Sequence, residues 1–177
     1  MSIMKGKKGL IMGVANERSI AWGIAKTLSE NGAELAFSYQ NESFRKRLTP
    51  LMNLVKSHIC FECDVSNSAN ELNSIENMFE KIQKKWNKID FVVHALAYSD
   101  KEELKGKYVN CSRENFLNSL DISAFSFTRI AKSALPLMSS KGGSLLTLSY
   151  LGAERTTPNY NVMGVAKSAL ELSLIHI

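Results

Sequence analysis

Five short apolar runs, each followed by a segment with helical spacing, constrain this chain more than any other feature. The runs are Lys8 to Val14, Glu34 to Tyr39, His58 to Cys63, Lys88 to His94 and Ser144 to Leu148. Bounded apolar runs of this length are expected of strands buried on both faces. The first helix is expected to start at Ser19 as N-cap, with Ile20, Ile24 and Leu28 on one stripe, and to stop at Asn31-Gly32. A second covers Glu42 to Val55, kinked or split by Pro50. A third runs from Asn67 to Trp86, with Leu72, Ile75, Met78, Phe79 and Ile82 towards the core. After an irregular stretch from Ala95 to Asn110, a long helix starts at Cys111 or Ser112 and ends near Met138. Strand–helix alternation with right-handed crossovers gives an α/β fold: a doubly wound, Rossmann-like parallel sheet with helices on both faces. No repeat or linker interrupts it, so residues 1–177 are read as one domain.

Composition narrows the function. With 45% hydrophobic and 22% charged residues the chain is globular in type. The net charge of +5 is mild. Lys81, Lys84, Lys85 and Lys88 are spaced like the wet face of a helix, with neither interleaved aromatics nor a nucleic-acid motif. An acidic protein partner is the most this face suggests. No run has the length of a membrane span, and the basic start leads straight into a strand rather than a signal peptide. Cys60, Cys63 and Cys111 are an odd set, which points to reduced thiols and a cytoplasmic location. Cys60 and Cys63 have zinc-like spacing near His58, but three positions along a strand face opposite ways and no second ligand pair exists, so no metal is expected. His94 reads as a core histidine. No Ser-His-Asp or paired-carboxylate pattern supports a hydrolase.

In a doubly wound sheet, ligands bind beyond the carboxyl ends of the strands. Gly13 ends the first strand, with Ser19 and Gly23 following. Gly13 would let backbone approach a pyrophosphate, Ser19 and the helix-start amides would donate to it, and Gly23 would allow close helix–strand packing. A plain turn with a packing glycine explains the loop equally well. Gln40 follows the second strand, where a dinucleotide enzyme reads the adenosine ribose. A neutral residue there favours NADH, although Arg45, Lys46 and Arg47 lie a turn later. Asp64 and the Val65 amide, after the third strand, could bind an adenine, and Asp64 could equally cap a helix. The backbone from His94 to Ser99 would line the nicotinamide ribose.

After the fifth strand the chain reads Ser149-Tyr150-Leu151-Gly152, crosses Pro158, and enters a small-residue segment from Tyr160 to Lys167. Tyr160 and Lys167 are seven residues apart, two near-complete helical turns, so both would leave one helix face. An ammonium there would lower the phenol pKa and could hold a polar cofactor. Taken alone, the pair reads more simply as a buried tyrosine beside a solvated lysine.

The motifs together resemble a known family. Gly13 with Ser19-Ile20-Ala21, the run from Gly32 to Asn41, Cys63-Asp64-Val65, the run from Leu146 to Glu154 and the run from Pro158 to Lys167 are similar to bacterial enoyl-(acyl-carrier-protein) reductases. These are NADH-dependent enzymes of type II fatty-acid synthesis, divergent short-chain dehydrogenases. Most short-chain dehydrogenases place the lysine four residues after the tyrosine; that place here is Gly164, and the lysine comes at seven. The resemblance implies Tyr160, Lys167 and Tyr150 as catalytic residues, with Tyr160 stabilising an enolate and Tyr150 shaping the acyl pocket or helping proton delivery. It implies NADH contacts at Gly13, Ser19, Ile20, Gln40, Asp64, Val65, Leu96 and Lys167, and substrate contacts at Ser99, Tyr150 and Tyr160. It also implies acyl carrier protein as partner and a homotetramer.

Two departures stand out: Ala97 replaces a common glycine, and the tail from Leu172 to Ile177 does not resemble the family's continuation into further strands. The chain is therefore expected to be a truncated member with a non-native 172–177 tail, unstable or inactive by itself. Competing readings are an ordinary carbonyl reductase and a non-catalytic dinucleotide-binding remnant.

Overall fold

The computed structural model describes residues 2–66 and 69–177. The strands are β1 (Lys8–Met12), β2 (Glu34–Tyr39), β3 (Ile59–Glu62), β4 (Phe91–His94) and β5 (Ser144–Thr147). They form one sheet in the order β3-β2-β1-β4-β5, parallel throughout. This is the doubly wound, Rossmann-like arrangement expected. The helices are α1 (Ile20–Glu30), α2 (Glu42–Leu54), α3 (Ile75–Trp86), α4 (Arg113–Leu120), α5 (Ser126–Ala134) and α6 (Asn161–His176). The chain divides into two compact units, residues 1–95 with 132–147, and residues 96–131 with 148–177.

The first unit holds the whole sheet. From β1 the chain winds through α1 and α2 to β3, then returns across the sheet through α3 to β4. Right-handed crossovers place α1 and α2 on one face and α3 on the other. Alternation along the strands agrees. Ile11, Leu35, Phe37, Phe91 and Val93 form one buried cluster with Ala21, Trp22 and Ala25 of α1 and Leu48, Leu51 and Met52 of α2. The α3 residues Ile75, Met78, Phe79 and Ile82 are buried outside that cluster. Inner strands β1 and β4 are buried almost throughout, and the outer β3 and β5 are not.

Several local expectations need correction. Ile20 lies outside the apolar stripe of α1 and is 67% exposed, because Ala21, Trp22 and Ala25 turn inward instead. Gly23 does not serve close packing, since a Cβ there would meet nothing within 4 Å. Helix α2 continues through Pro50 without a break. Helix α3 starts at Ile75, where Ser74 Oγ accepts the Asn77 amide, and Leu72 is exposed in a short 3₁₀ turn ahead of it. The expected start at Asn67 lies outside the described residues.

In the second unit, α4 is capped by Ser112 and passes into a π-helical turn, Asp121–Phe125, before α5. Helix α6 packs on α4, on that π turn and on the 3₁₀ turn Leu151–Ala153.

Candidate functional site

Strand order reverses between β1 and β4, so their carboxyl ends flank the switch point. Gly13 leaves β1 with φ +96°, and a Cβ there would lie 2.0 Å from the Ala95 carbonyl oxygen at the end of β4. Only glycine allows that approach. Ser19 occupies the N-cap position of α1, yet its side chain does not cap the helix. Its Oγ accepts instead from the Ala15 and Asn16 amides, both at 3.0 Å. With both lone pairs engaged, the hydroxyl proton is a donor for an anion above the loop.

Gln40 and Asp64 meet at the ends of β2 and β3. Gln40 Nε2 donates to Asp64 Oδ2 at 3.3 Å, and Asp64 Oδ1 accepts the Ser66 amide at 2.9 Å. Asp64 thus holds a turn and presents a carboxylate beside a neutral amide. Arg45 lies over the Tyr39 ring and contacts Glu42, and Arg47 lies over Phe44 and donates to the Ser43 carbonyl. Ile20 is exposed at the start of α1, and Val65 is buried. This unit brings Gly13, Ser19, Gln40, Asp64 and Val65 to the carboxyl side of the sheet. A cradle that a Cβ would fill, with a hydroxyl donor beside it and a polar pair two strands away, fits a dinucleotide.

The second unit carries the tyrosines and the lysine. Tyr160 is not in the helix; it is the N-cap of α6. Its ring packs on Tyr150, with centroids 4.9 Å apart, and against Gly152, where a Cβ would strike it at 2.3 Å. Gly164 continues the same stack: a Cβ there would lie 2.8 Å from the Gly152 carbonyl oxygen. A side chain four residues after Tyr160 would force α6 away from the 151–153 turn, which disfavours a lysine at that position. Lys167 is buried, and its Nζ donates to the Leu148 carbonyl at 2.9 Å. Burial lowers its pKa, and Glu171, one turn on and hydrogen-bonded to Ser149, acts in the opposite sense.

The Tyr160 phenol is raised above the ordinary tyrosine value, by burial first and then by Tyr150. The expected lowering by Lys167 does not prevail here, and the Lys167 ammonium donates to the Leu148 carbonyl. Tyr150 itself is half exposed. Leu96 is partly buried; the Tyr98 backbone is held by Ser123, whose Oγ accepts its amide at 3.0 Å and donates to its carbonyl. Ser99 Oγ bonds Asn115, which also takes the Asp100 amide at 2.8 Å. Asn115 and Ser123 were missed from sequence. Both are buried polar residues inside a helical run, and only that mismatch of polarity and expected burial could have flagged them.

The family model for enoyl-(acyl carrier protein) reductase matches residues 13–175. An NADH-type enoyl-(acyl-carrier-protein) reductase of Rhizobium meliloti is 54% identical over 99% of this chain and 63% of its own length. The corresponding protein of Aquifex aeolicus is 42% identical over the whole chain and 64% of its own length. The enoyl-(acyl-carrier-protein) reductase of Anaplasma phagocytophilum, solved in complex with NAD, superposes with a TM-score of 0.92 at 53% identity, over 98% of this chain and 65% of that one. The chain thus spans a little under two thirds of the length of these relatives. Match, identity and fold agree: the chain belongs to the enoyl-(acyl-carrier-protein) reductase family.

Proposed function

We propose that this chain carries the cofactor-binding and tyrosine–lysine machinery of an NADH-dependent reductase that saturates the trans-2 double bond of enoyl thioesters on acyl carrier protein. The observation that carries the reading is the seven-residue spacing of Tyr160 and Lys167, with Gly164 at the fourth place packed on the Gly152 carbonyl oxygen. Most short-chain carbonyl reductases set the lysine four residues after the tyrosine, beside the phenol that protonates the substrate oxygen. Enoyl reduction asks only for a hydrogen-bond donor at the thioester oxygen while enolate charge develops there. A neutral phenol suits that task, and burial together with Tyr150 raises the Tyr160 pKa, which keeps it protonated.

NADH, when bound, supplies hydride for the β-carbon of the enoyl chain. Gly13 and the Ser19 hydroxyl would receive its pyrophosphate, with Ile20 at the helix start beside them. Gln40 and Asp64 would take the adenosine end with the Val65 amide, and Leu96 would border the nicotinamide. Engagement of Arg45 and Arg47 with their own neighbours supports NADH over a 2′-phosphorylated cofactor. Lys167 gives one N–H to Leu148 and has two more donors for the ribose. Tyr150 borders the acyl chain or delivers the proton to carbon, and the backbone at Ser99 faces the thioester. A homotetramer in the cytoplasm belongs to the same proposal.

The test measures NADH binding by fluorescence titration and turnover with a crotonyl thioester separately, which also distinguishes a binding-only protein. Tyr160→Phe is expected to cut turnover more than NADH affinity, and Lys167→Ala to weaken NADH. Normal NADH affinity in Lys167→Ala would remove the ribose role, and preferential turnover of ketones would favour a carbonyl reductase.

A further inference from the structure

We infer that Asn161 is a positioning residue that aims the Tyr160 phenol by hanging the start of α6 on the carbonyl oxygens of residues 103–106. The inference rests on the proposed role of Tyr160 as hydrogen-bond donor. Tyr160 stands between two residues in left-handed backbone, Asn159 at φ +57° and Asn161 at φ +30°. Asparagine adopts such backbone more readily than other side-chain-bearing residues, and two of them about one tyrosine still need surrounding contacts to hold them. Asn161 Nδ2 supplies that constraint. It lies 3.1 Å from the Glu103 carbonyl oxygen, 3.2 Å from that of Lys105 and 3.3 Å from that of Gly106. Three acceptors converge on one amide nitrogen, which also fixes the amide's orientation, since its oxygen would be repelled there.

The acceptors are anchored in turn. The Glu103 carboxylate accepts the Ser112 amide at 2.8 Å and the Ser112 hydroxyl at 2.7 Å, and Asn115 Nδ2 at 3.2 Å. Ser112 caps α4, and Asn115 is a buried residue of its first turn. The bonds from Ser112 hold the Glu103 carboxyl below the usual carboxylate range, so the anchor stays ionised. Asn115 also fixes Ser99 and Asp100. One side chain at the start of α4 therefore orders the 99–100 backbone, while Glu103 ties the same helix start to the 103–106 carbonyls that hold Asn161, next in sequence to Tyr160. The ring contacts with Tyr150 and Gly152 locate the phenol in the plane; Asn161 sets the backbone from which it hangs. None of these bonds reaches a reacting atom, so the expected effect is on orientation.

The test compares Asn161→Gly with Asn161→Asp in the 177-residue chain. Glycine keeps the left-handed backbone and removes the donors; aspartate keeps the shape and turns an acceptor towards three carbonyls. The readout is NMR of ring-labelled tyrosine, with Tyr160 assigned by its loss in Tyr160→Phe. The expected result is that the Tyr160 ring signal moves towards that of an exposed tyrosine and loses its contact with Tyr150, while Tyr39 is unchanged. In turnover, kcat is expected to fall by about 10–100-fold with KM and NADH affinity within about twofold, as for a misplaced group. An unchanged Tyr160 signal in both variants overturns the inference, whatever the activity. So does loss of cooperative melting in both, which would make Asn161 a determinant of the fold at large. Absence of turnover in the unaltered chain counts against the proposed activity, and the NMR result then decides the positioning role by itself.

Discussion

Replacing Gly13 with alanine tests the switch point directly. The new Cβ would sit 2.0 Å from the Ala95 carbonyl oxygen and 2.7 Å from its carbon, on a residue held at φ +96°. Holding a Cβ-bearing residue in sparsely populated backbone costs about 1–3 kcal/mol. Relieving the clash means parting the ends of β1 and β4, where Ala95 N donates to the Met12 carbonyl at 3.1 Å; such overpacking costs about 1–3 kcal/mol more. Lower entropy of the unfolded chain returns about 0.4–1 kcal/mol. The net expectation is a destabilisation of about 1–6 kcal/mol, read by urea unfolding as a midpoint lower by about 0.5–3 M at an m of about 2 kcal/mol/M. Gly23→Ala is the internal control. It is exposed, helical and meets nothing within 4 Å, so the same substitution there should stabilise by up to about 1 kcal/mol. A Gly13→Ala midpoint equal to that of the unaltered chain, or the same sign at both positions, would refute the reasoning.

Three further outcomes follow from the geometry. Gly152→Ala should displace the Tyr160 ring, because the added carbon falls 2.3 Å from it; circular dichroism in the aromatic region should change while the far-ultraviolet spectrum does not, and an unchanged aromatic spectrum counts against the stacking. Burial lowers the Lys167 pKa, so its ammonium is lost at lower pH than for an ordinary lysine; on the proposed ribose role NADH affinity should fall with it, and Glu171→Gln should move that loss lower still, as a pH series of titrations would show. Asp90, despite the opposing effect of its partial burial, is held below 3.8 by Lys7 at 2.8 Å and the Lys8 amide at 2.9 Å. Its contribution is present above its unfolded pKa and lost as pH falls through the folded one, so acid unfolding of Asp90→Asn should lack that component.

The interaction patterns of α1 and of Tyr160 show where sequence reasoning stopped. The first helix was legible from its spacing, yet Ile20 points outward and Trp22 inward because the α1–sheet contact selects a face that periodicity leaves open. Ser19 was legible as a residue at a helix start, but its partner is the preceding loop and not the helix. Tyr160 was placed in a helix by its spacing to Lys167; with left-handed residues on either side of it, the helix starts one position later.

By itself the sequence determined the strand–helix alternation, and hence the parallel doubly wound sheet, because buried parallel strands and amphipathic helices are written in local runs of apolar residues. It also singled out Gly13 and the tyrosine–lysine pair, though each had a plainer reading when taken alone and only the motifs together gave them weight. Tertiary structure alone decided what each polar group faces. Lys167 meets Leu148 across 19 residues, Asn115 meets Ser99 across 16, and Asn161 meets Glu103 across 58. Bonds over such separations depend on how whole elements pack, and packing is a property that no local window of sequence contains.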